Sequence, residues 1–233
     1  MHMIKVVKFT SLFLSLLIIN MNDIYGQDWP NLERFRLQNE VLKQDTTNTN
    51  RIVFMGNSIT EGWLNDSKSF FYTENYINRG ISGQTTPQML IRFKSDVVEL
   101  KPALVLILAG INDIAENTGH SSIDMIMNNI TSMAEISQSN DVLVILCSVL
   151  PASSFPWRPD LSPSGKVIEL NRRIKAYSEE NDHIYLDYFS SMVDQKNGLI
   201  ARYSDDGVHP NLEGYRIMQP LAENAIRLAL NKN

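Results

Sequence analysis

The chain of 233 residues is long enough for one enzyme-sized core and too short for two equal domains. Hydrophobic residues at 43%, charged residues at 20%, 11 Gly and 9 Pro exclude a disordered, collagen-like or coiled-coil protein. The 21 Lys and Arg against 26 Asp and Glu give a formal charge of −5, with no dense basic block to track a phosphate backbone, so no nucleic-acid partner is expected. The single Cys147 has no second cysteine to pair with inside the chain.

Residues 1–26 read as a secretory signal. Lys5 and Lys8 flank the start of an apolar stretch from Phe9 to Ile19, shorter than the ~20 residues of a membrane span, and Gly26 offers a small residue before Gln27. No Cys follows that stretch closely, so no lipidated cysteine is expected. The reading is a signal peptide over 1–26 and one folded domain over 27–233, exported to the periplasm or medium without a stable membrane anchor.

Along that domain, RIVFMG at 51–56 is a short β-branched and apolar run ending in Gly, the pattern of a strand buried on both faces of a parallel sheet. Similar runs follow at 103–110 and 142–150, with shorter ones at Tyr76–Asn78 and His183–Asp187. Helical periods lie between them: Met89, Phe93 and Val97; then Ile123, Ile126, Met127, Ile130, Met133 and Ala134; then Val167, Leu170, Ile174 and Tyr177. A last helix is expected from near Asn211 to about Leu230, burying Leu212, Tyr215, Met218, Leu221, Ala222, Ala225 and Ile226. Strand and helix alternate, which predicts an α/β domain with an open parallel sheet of about five strands and helices on both faces. The Pro/Ser-rich stretch 151–165 leaves the carboxyl end of the fourth strand, the end where such sheets bind ligands.

Four segments fall at that edge or in the last loop. In Gly56-Asn57-Ser58-Ile59-Thr60, Gly56 permits a sharp exit from the first strand and Ser58 starts a helix, where the amino end favours developing negative charge. Asn78-Arg79-Gly80-Ile81-Ser82-Gly83 and Gly110-Ile111-Asn112-Asp113 each bring a donor nearby, the Gly83 N–H and the Asn112 amide. In Asp205-Asp206-Gly207-Val208-His209-Pro210, an Asp three residues before a His can accept from one ring nitrogen and leave the other to take a proton; Asp205 is the competing acid. Together these are a nucleophile, a base, an orienting acid and oxyanion donors, the parts needed for acyl transfer.

GNSIT, the Gly of NRGISG, GIND and DGVHP resemble the four ordered blocks of the SGNH (GDSL-type) hydrolases, serine esterases and lipases on a flavodoxin-like sheet. The resemblance runs from about Arg51 to the C-terminus and implies a flavodoxin-like three-layer α/β/α sandwich. It implies Ser58 as nucleophile, the Ser58 and Gly83 N–H groups with Asn112 as oxyanion hole, and Asp206 and His209 as the rest of the triad. Asn57 departs from it, standing where the name-giving motif has Asp. The implied mechanism needs no metal and no cofactor.

Two other classes compete. A metal-dependent phosphoesterase would draw ligands from Asn112, Asp113, Asp206 and His209, but beyond the signal only His120, His183 and His209 remain, with no HxH or HExxH pair. A non-catalytic carbohydrate-binding protein would stack sugars on Trp63, Phe70, Phe71, Tyr72 or Trp157. Cys147, Phe70, Phe71 and Tyr72 read as core, Asp113 as a brace for its own loop, and Trp157 and Arg158 as substrate-binding residues overhanging the site. GISGQTTPQMLIRF resembles the acetylhydrolase members of the family, which implies a short acyl group; with export, the expected substrate is an acetylated carbohydrate or another small ester. A lysophospholipase or thioesterase of the same family is the alternative.

Overall fold

The computed structural model describes residues 28–45, 47, 50–66, 69–72 and 76–232. The expected signal segment and its cleavage point lie outside these residues.

A 3₁₀ turn at Leu32–Phe35 leads into α1 (Arg36–Gln44), an element the strand-and-helix reading did not anticipate. The chain then runs through β1 (Ile52–Gly56), α2 (Ser58–Glu61), β2 (Tyr76–Gly80), α3 (Thr86–Asp96), β3 (Leu104–Leu108), α4 (Ile111–Ile114) and α5 (Ile123–Gln138). It continues with β4 (Leu143–Cys147), α6 (Ser164–Glu180), β5 (Ile184–Leu186), α7 (Phe189–Met192) and α8 (Leu212–Leu230). The five strands form one parallel sheet in the order β2-β1-β3-β4-β5, flanked by helices as the α/β/α reading expects.

This order places the reversal of chain direction across the sheet between β1 and β3, and a crevice opens at the carboxyl ends of strands at such a point. The register aligns those ends: Gly56 lies level with Gly80 on one side and Leu108 on the other. Every residue of β1 and β3 is buried, as expected of β-branched and Leu-rich strands covered on both faces. On one face α3 packs on α5 and α5 on α6, while α8 lies over β3, β4 and β5. Phe54, Trp63, Phe70 and Phe71 form an aromatic cluster with Tyr215 of α8, whose rings meet largely edge to face, for example Phe54 and Phe71 at 4.7 Å.

Local signals fix several helix starts. Thr85 and Gln88 form a reciprocal capping box at α3, Ser122 caps α5 through the Met125 N–H, and Asn211 caps α8 through Glu213 and Gly214. The run at 142–150 gives a strand only to Cys147, because Val149 pairs with the Asn171 side chain instead, its N–H donating at 2.7 Å and its carbonyl accepting at 2.8 Å. Cys147 is buried in that strand as a small core residue, and burial pushes its thiol well above the usual range. Two core expectations are corrected. Leu212 is exposed because, in the first turn of α8, it lines an open cleft instead of packing on the sheet, and Tyr72 is exposed with its hydroxyl donating to the Leu64 carbonyl.

Candidate active site

The His209 side of the site is a self-contained turn. After the 3₁₀ turn Ala201–Tyr203 the loop doubles back so that Ser204 pairs with Pro210, with Gly207 in the left-handed region at φ +79°. The Asp206 Oδ1 accepts from the backbone N–H groups of Val208 (2.8 Å) and His209 (2.7 Å) and from the Ser204 hydroxyl (3.1 Å). Its Oδ2 lies 2.6 Å from His209 Nδ1, and His209 Nε2 lies 2.9 Å from Ser58 Oγ. Burial acts to raise the Asp206 pKa, but the hydrogen bonds from the His209 backbone and ring and from Val208 outweigh it and hold the group at about 2. An ionised carboxylate at Nδ1 selects the tautomer that leaves Nε2 free to accept from the Ser58 hydroxyl. The competing Asp205 accepts from Asn211 Nδ2 at 3.4 Å and has no hydrogen bond to His209.

Ser58 is the first residue of α2, directly beyond β1. Asn57 caps this helix with its side-chain oxygen accepting from the Ile59 N–H at 3.0 Å, so the amide supplies the acceptor an Asp would supply, without the charge. The turn is set tightly on the strand ends: a Cβ on Gly56 would fall 2.0 Å from Thr60 Oγ1, and one on Gly80 would fall 2.2 Å from the Glu61 nitrogen. Across the crevice, Gly83 takes φ +79°, and neither its N–H nor that of Ser58 donates to a protein acceptor among the described residues. Asn112 is buried, with Nδ2 donating to the Gln84 carbonyl at 2.9 Å, which leaves its second amide hydrogen for a ligand. Ser58, Gly83, Asn112, Asp206 and His209 are thus brought to one edge.

Asp113 braces its loop, accepting from the Thr86 N–H at 3.0 Å and the Thr86 hydroxyl at 2.6 Å, which ties α4 to the start of α3; burial raises its pKa. Trp157 overhangs the site, its ring 6.0 Å from that of His209 and its Nε1 donating to Asn117 Oδ1 at 3.2 Å. Arg158 is a staple: it donates to the Ala115 carbonyl (3.2 Å) and to Glu116 (3.3 Å), joining the long loop to the segment after α4. Asn117 itself donates to the Gly83 carbonyl at 3.4 Å, linking Trp157 to the Gly83 turn. Sequence reasoning passed over Asn117, Gln84 and Arg92; Gln84 and Arg92 stand inside GISGQTTPQMLIRF, a polar pair eight residues apart with no local signal of burial.

A cleft of about 620 Å³ opens beside Ser58 and His209. Its wall includes Glu61, Asn65, Ser82, Asp205 and Asn211, and among the described residues no Lys or Arg lines it. Glu61 is held in place by Arg34 at 3.0 Å and by the Ser82 N–H at 2.9 Å. A serine hydroxyl bonded to a carboxylate-held imidazole, beside unused N–H donors and an open cleft, can perform nucleophilic attack on a carbonyl.

Known proteins share this fold. A GDSL-like lipase from Bacteroides thetaiotaomicron is similar in structure, with 48% sequence identity and a TM-score of 0.83 over 86% of this chain and 98% of that one. A candidate acylhydrolase from Bacteroides fragilis shares 47% identity at a TM-score of 0.85, over 88% of this chain and 100% of that one. An acetyl-xylooligosaccharide esterase from Geobacillus has the same fold at 20% identity and a TM-score of 0.61, over 76% of this chain and 94% of that one. Among curated proteins, an uncharacterized lipoprotein of Bacillus subtilis is 33% identical over 78 residues, and the match spans about a third (32%) of each chain. The family model of the GDSL-like lipase/acylhydrolase family matches residues 54–217, and the chain belongs to that family of ester hydrolases.

Proposed function

We propose that the protein is an exported serine esterase that removes short acyl groups, acetyl above all, from a neutral carbohydrate by a Ser58–His209–Asp206 mechanism. The observation that carries this reading is the unbroken hydrogen-bonded chain from Asp206 through His209 to the Ser58 hydroxyl, at 2.6 and 2.9 Å. His209 takes the Ser58 proton as Oγ bonds to the ester carbon. The resulting oxyanion accepts from the Ser58 and Gly83 N–H groups and from Asn112. As the carbon–oxygen bond breaks, the imidazolium returns its proton to the leaving alcohol, and water activated by the same imidazole releases the acid. No step requires a metal or cofactor.

The substrate class is supported by the cleft. Hydroxyl and amide groups of Ser82, Asn65 and Asn211 and the carboxylates of Glu61 and Asp205 suit a polyhydroxylated alcohol, and the Asp205 carboxylate disfavours an anionic one. Trp157, lying across from His209, offers an aromatic wall against which a sugar ring can pack. The staple made by Arg158 supports that loop. Export rests on the Lys5–Ile19 segment. N-terminal sequencing of secreted protein is expected to begin near Gln27, and an intact amino terminus in the membrane fraction would refute export.

Rates on p-nitrophenyl esters of increasing acyl length, together with acetate release from acetylated xylooligosaccharides, test the substrate assignment. The expected profile peaks at acetyl and includes the sugar esters. A maximum at long acyl chains would assign the protein to the lipase or lysophospholipase side of the family.

A further inference from the structure

We propose that Arg92, a residue with no access to substrate, is a positioning residue that sets all three oxyanion donors from inside the core. The inference rests on the reading of the Ser58 and Gly83 N–H groups and the Asn112 amide as those donors.

Arg92 projects from α3 and is fully buried, at 0% exposure. Its Nη2 donates to the carbonyls of Gly56 (3.0 Å) and Arg79 (2.9 Å), the carboxyl ends of β1 and β2. Its Nε donates to Gln84 Oε1 at 2.6 Å, and its Nη1 donates to Asp96 at 3.0 Å. Two of the first three contacts lie close in the chain to a donor, and the third holds the end of β2 that leads into the Gly83 turn. Gly56 is two residues before Ser58, Gln84 directly follows Gly83, and the Gln84 carbonyl is the group that orients the Asn112 amide at 2.9 Å. Gln84 is held at its other side-chain atom as well, Nε2 donating to the Pro30 carbonyl at 2.7 Å.

Taking a guanidinium out of water is costly, and an apolar side chain of similar volume usually stabilises a core as well as a buried ion pair does. The pairing with Asp96 alone therefore gives little reason for an arginine here. What a Met or Lys would lack is the planar fork, which reaches two strand-end carbonyls and a side-chain oxygen at once. An oxyanion hole acts only if its donors are fixed before charge develops, and misplacement by ~1 Å can cost ~10²-fold in rate. One rigid group bonded to three separate chain segments supplies that fixation.

The test is Arg92→Lys, which keeps the charge beside Asp96 and loses the fork, measured on p-nitrophenyl acetate with circular dichroism and a thermal midpoint to establish folding. We expect kcat to fall ~30–100-fold with KM within about twofold and the pH–rate profile unaltered. In an Asn112→Ala background the same substitution is expected to cost less than it does in the wild type, because one of the three donors it misplaces is already gone. A second variant, Gln84→Met, removes the Nε acceptor while leaving the guanidinium and Asp96 in place, and is expected to lower kcat ~10-fold under the same criteria. Wild-type kcat in either folded variant, or an Arg92→Lys penalty undiminished by Asn112→Ala, would overturn the positioning role. Wild-type kcat in Asn112→Ala itself would instead overturn the donor reading, and this inference with it.

Discussion

The Asp206–His209 side of the site and the Gly83–Asn112 side are held at different depths. The His209 and Asp206 side chains each keep 39% of their surface exposed, whereas Asn112 keeps 4% and Arg92 behind it none. On the first side, one four-residue turn supplies carboxylate, imidazole and the backbone N–H groups that fix them. On the second, the geometry depends on segments far apart in the chain, Gly56, Arg79, Gln84 and Asn112, converging on one buried side chain and on each other. Local geometry of the first kind survives changes in the core and answers to the solvent; the second kind answers to packing.

Substitutions that act on one side only can break this contrast. The largest loss belongs to Ser58→Ala, at the point where the two sides meet. Ester hydrolysis should fall by ~10⁵-fold or more while circular dichroism is unchanged, since one hydroxyl is removed without opening a cavity. On the solvent side, Asp206→Asn should lower kcat ~10³–10⁴-fold by losing the selection of tautomer, and His209→Ala should abolish the dependence of rate on pH in the neutral range. On the packed side, Asn112→Ala should lower kcat ~10²–10³-fold with KM little changed and the wild-type pH profile retained. A folded His209→Ala protein that kept that titration would show that the base lies elsewhere.

Acid titration sharpens the same contrast. The Asp206 pKa is about 2 in the folded protein, below the ~3.9 of an unfolded Asp, so its contribution to stability is present above about pH 4 and lost as pH falls toward about 2. The gap in thermal midpoint between wild type and Asp206→Asn should therefore close across that window. The smallest effect is expected from Asp205→Lys on the cleft wall. It should raise kcat/KM severalfold for an acetate ester of an anionic alcohol relative to a neutral one, and should do so less at high salt. An unchanged ratio would remove charge from the account of substrate choice.

The sheet was legible in the sequence because β1 and β3 are buried on both faces and so read as uninterrupted apolar runs. β2 was harder: Asn78, Arg79 and Gly80 interrupt the pattern, yet they complete the strand because Arg79 is buried, stacked over Phe35 at 4.5 Å and bonded to Asn39. α1 was missed because its one fully buried residue is polar: Asn39 bridges Arg79 and Asp96. In the site, Ser58, Asp206 and His209 declare themselves by spacing within short motifs. Arg92 and Gln84 do not, since a buried polar network carries no period and is recognisable only once its partners are in place.

The hydrogen bond between Ser58 and His209 joins residues separated by 151 positions. The turn that carries His209 follows Ser58 so far along the chain that, on the proposed mechanism, the nucleophile emerges during synthesis long before its base. On the proposed mechanism, a nascent or truncated chain ending before His209 is expected to be hydrolytically silent however well its first strands have formed, and a chain exported unfolded to gain activity only after the His209 turn docks. Recovery of esterase activity on refolding thus reports the closing event of assembly, and is expected to lag any spectroscopic signal from the sheet.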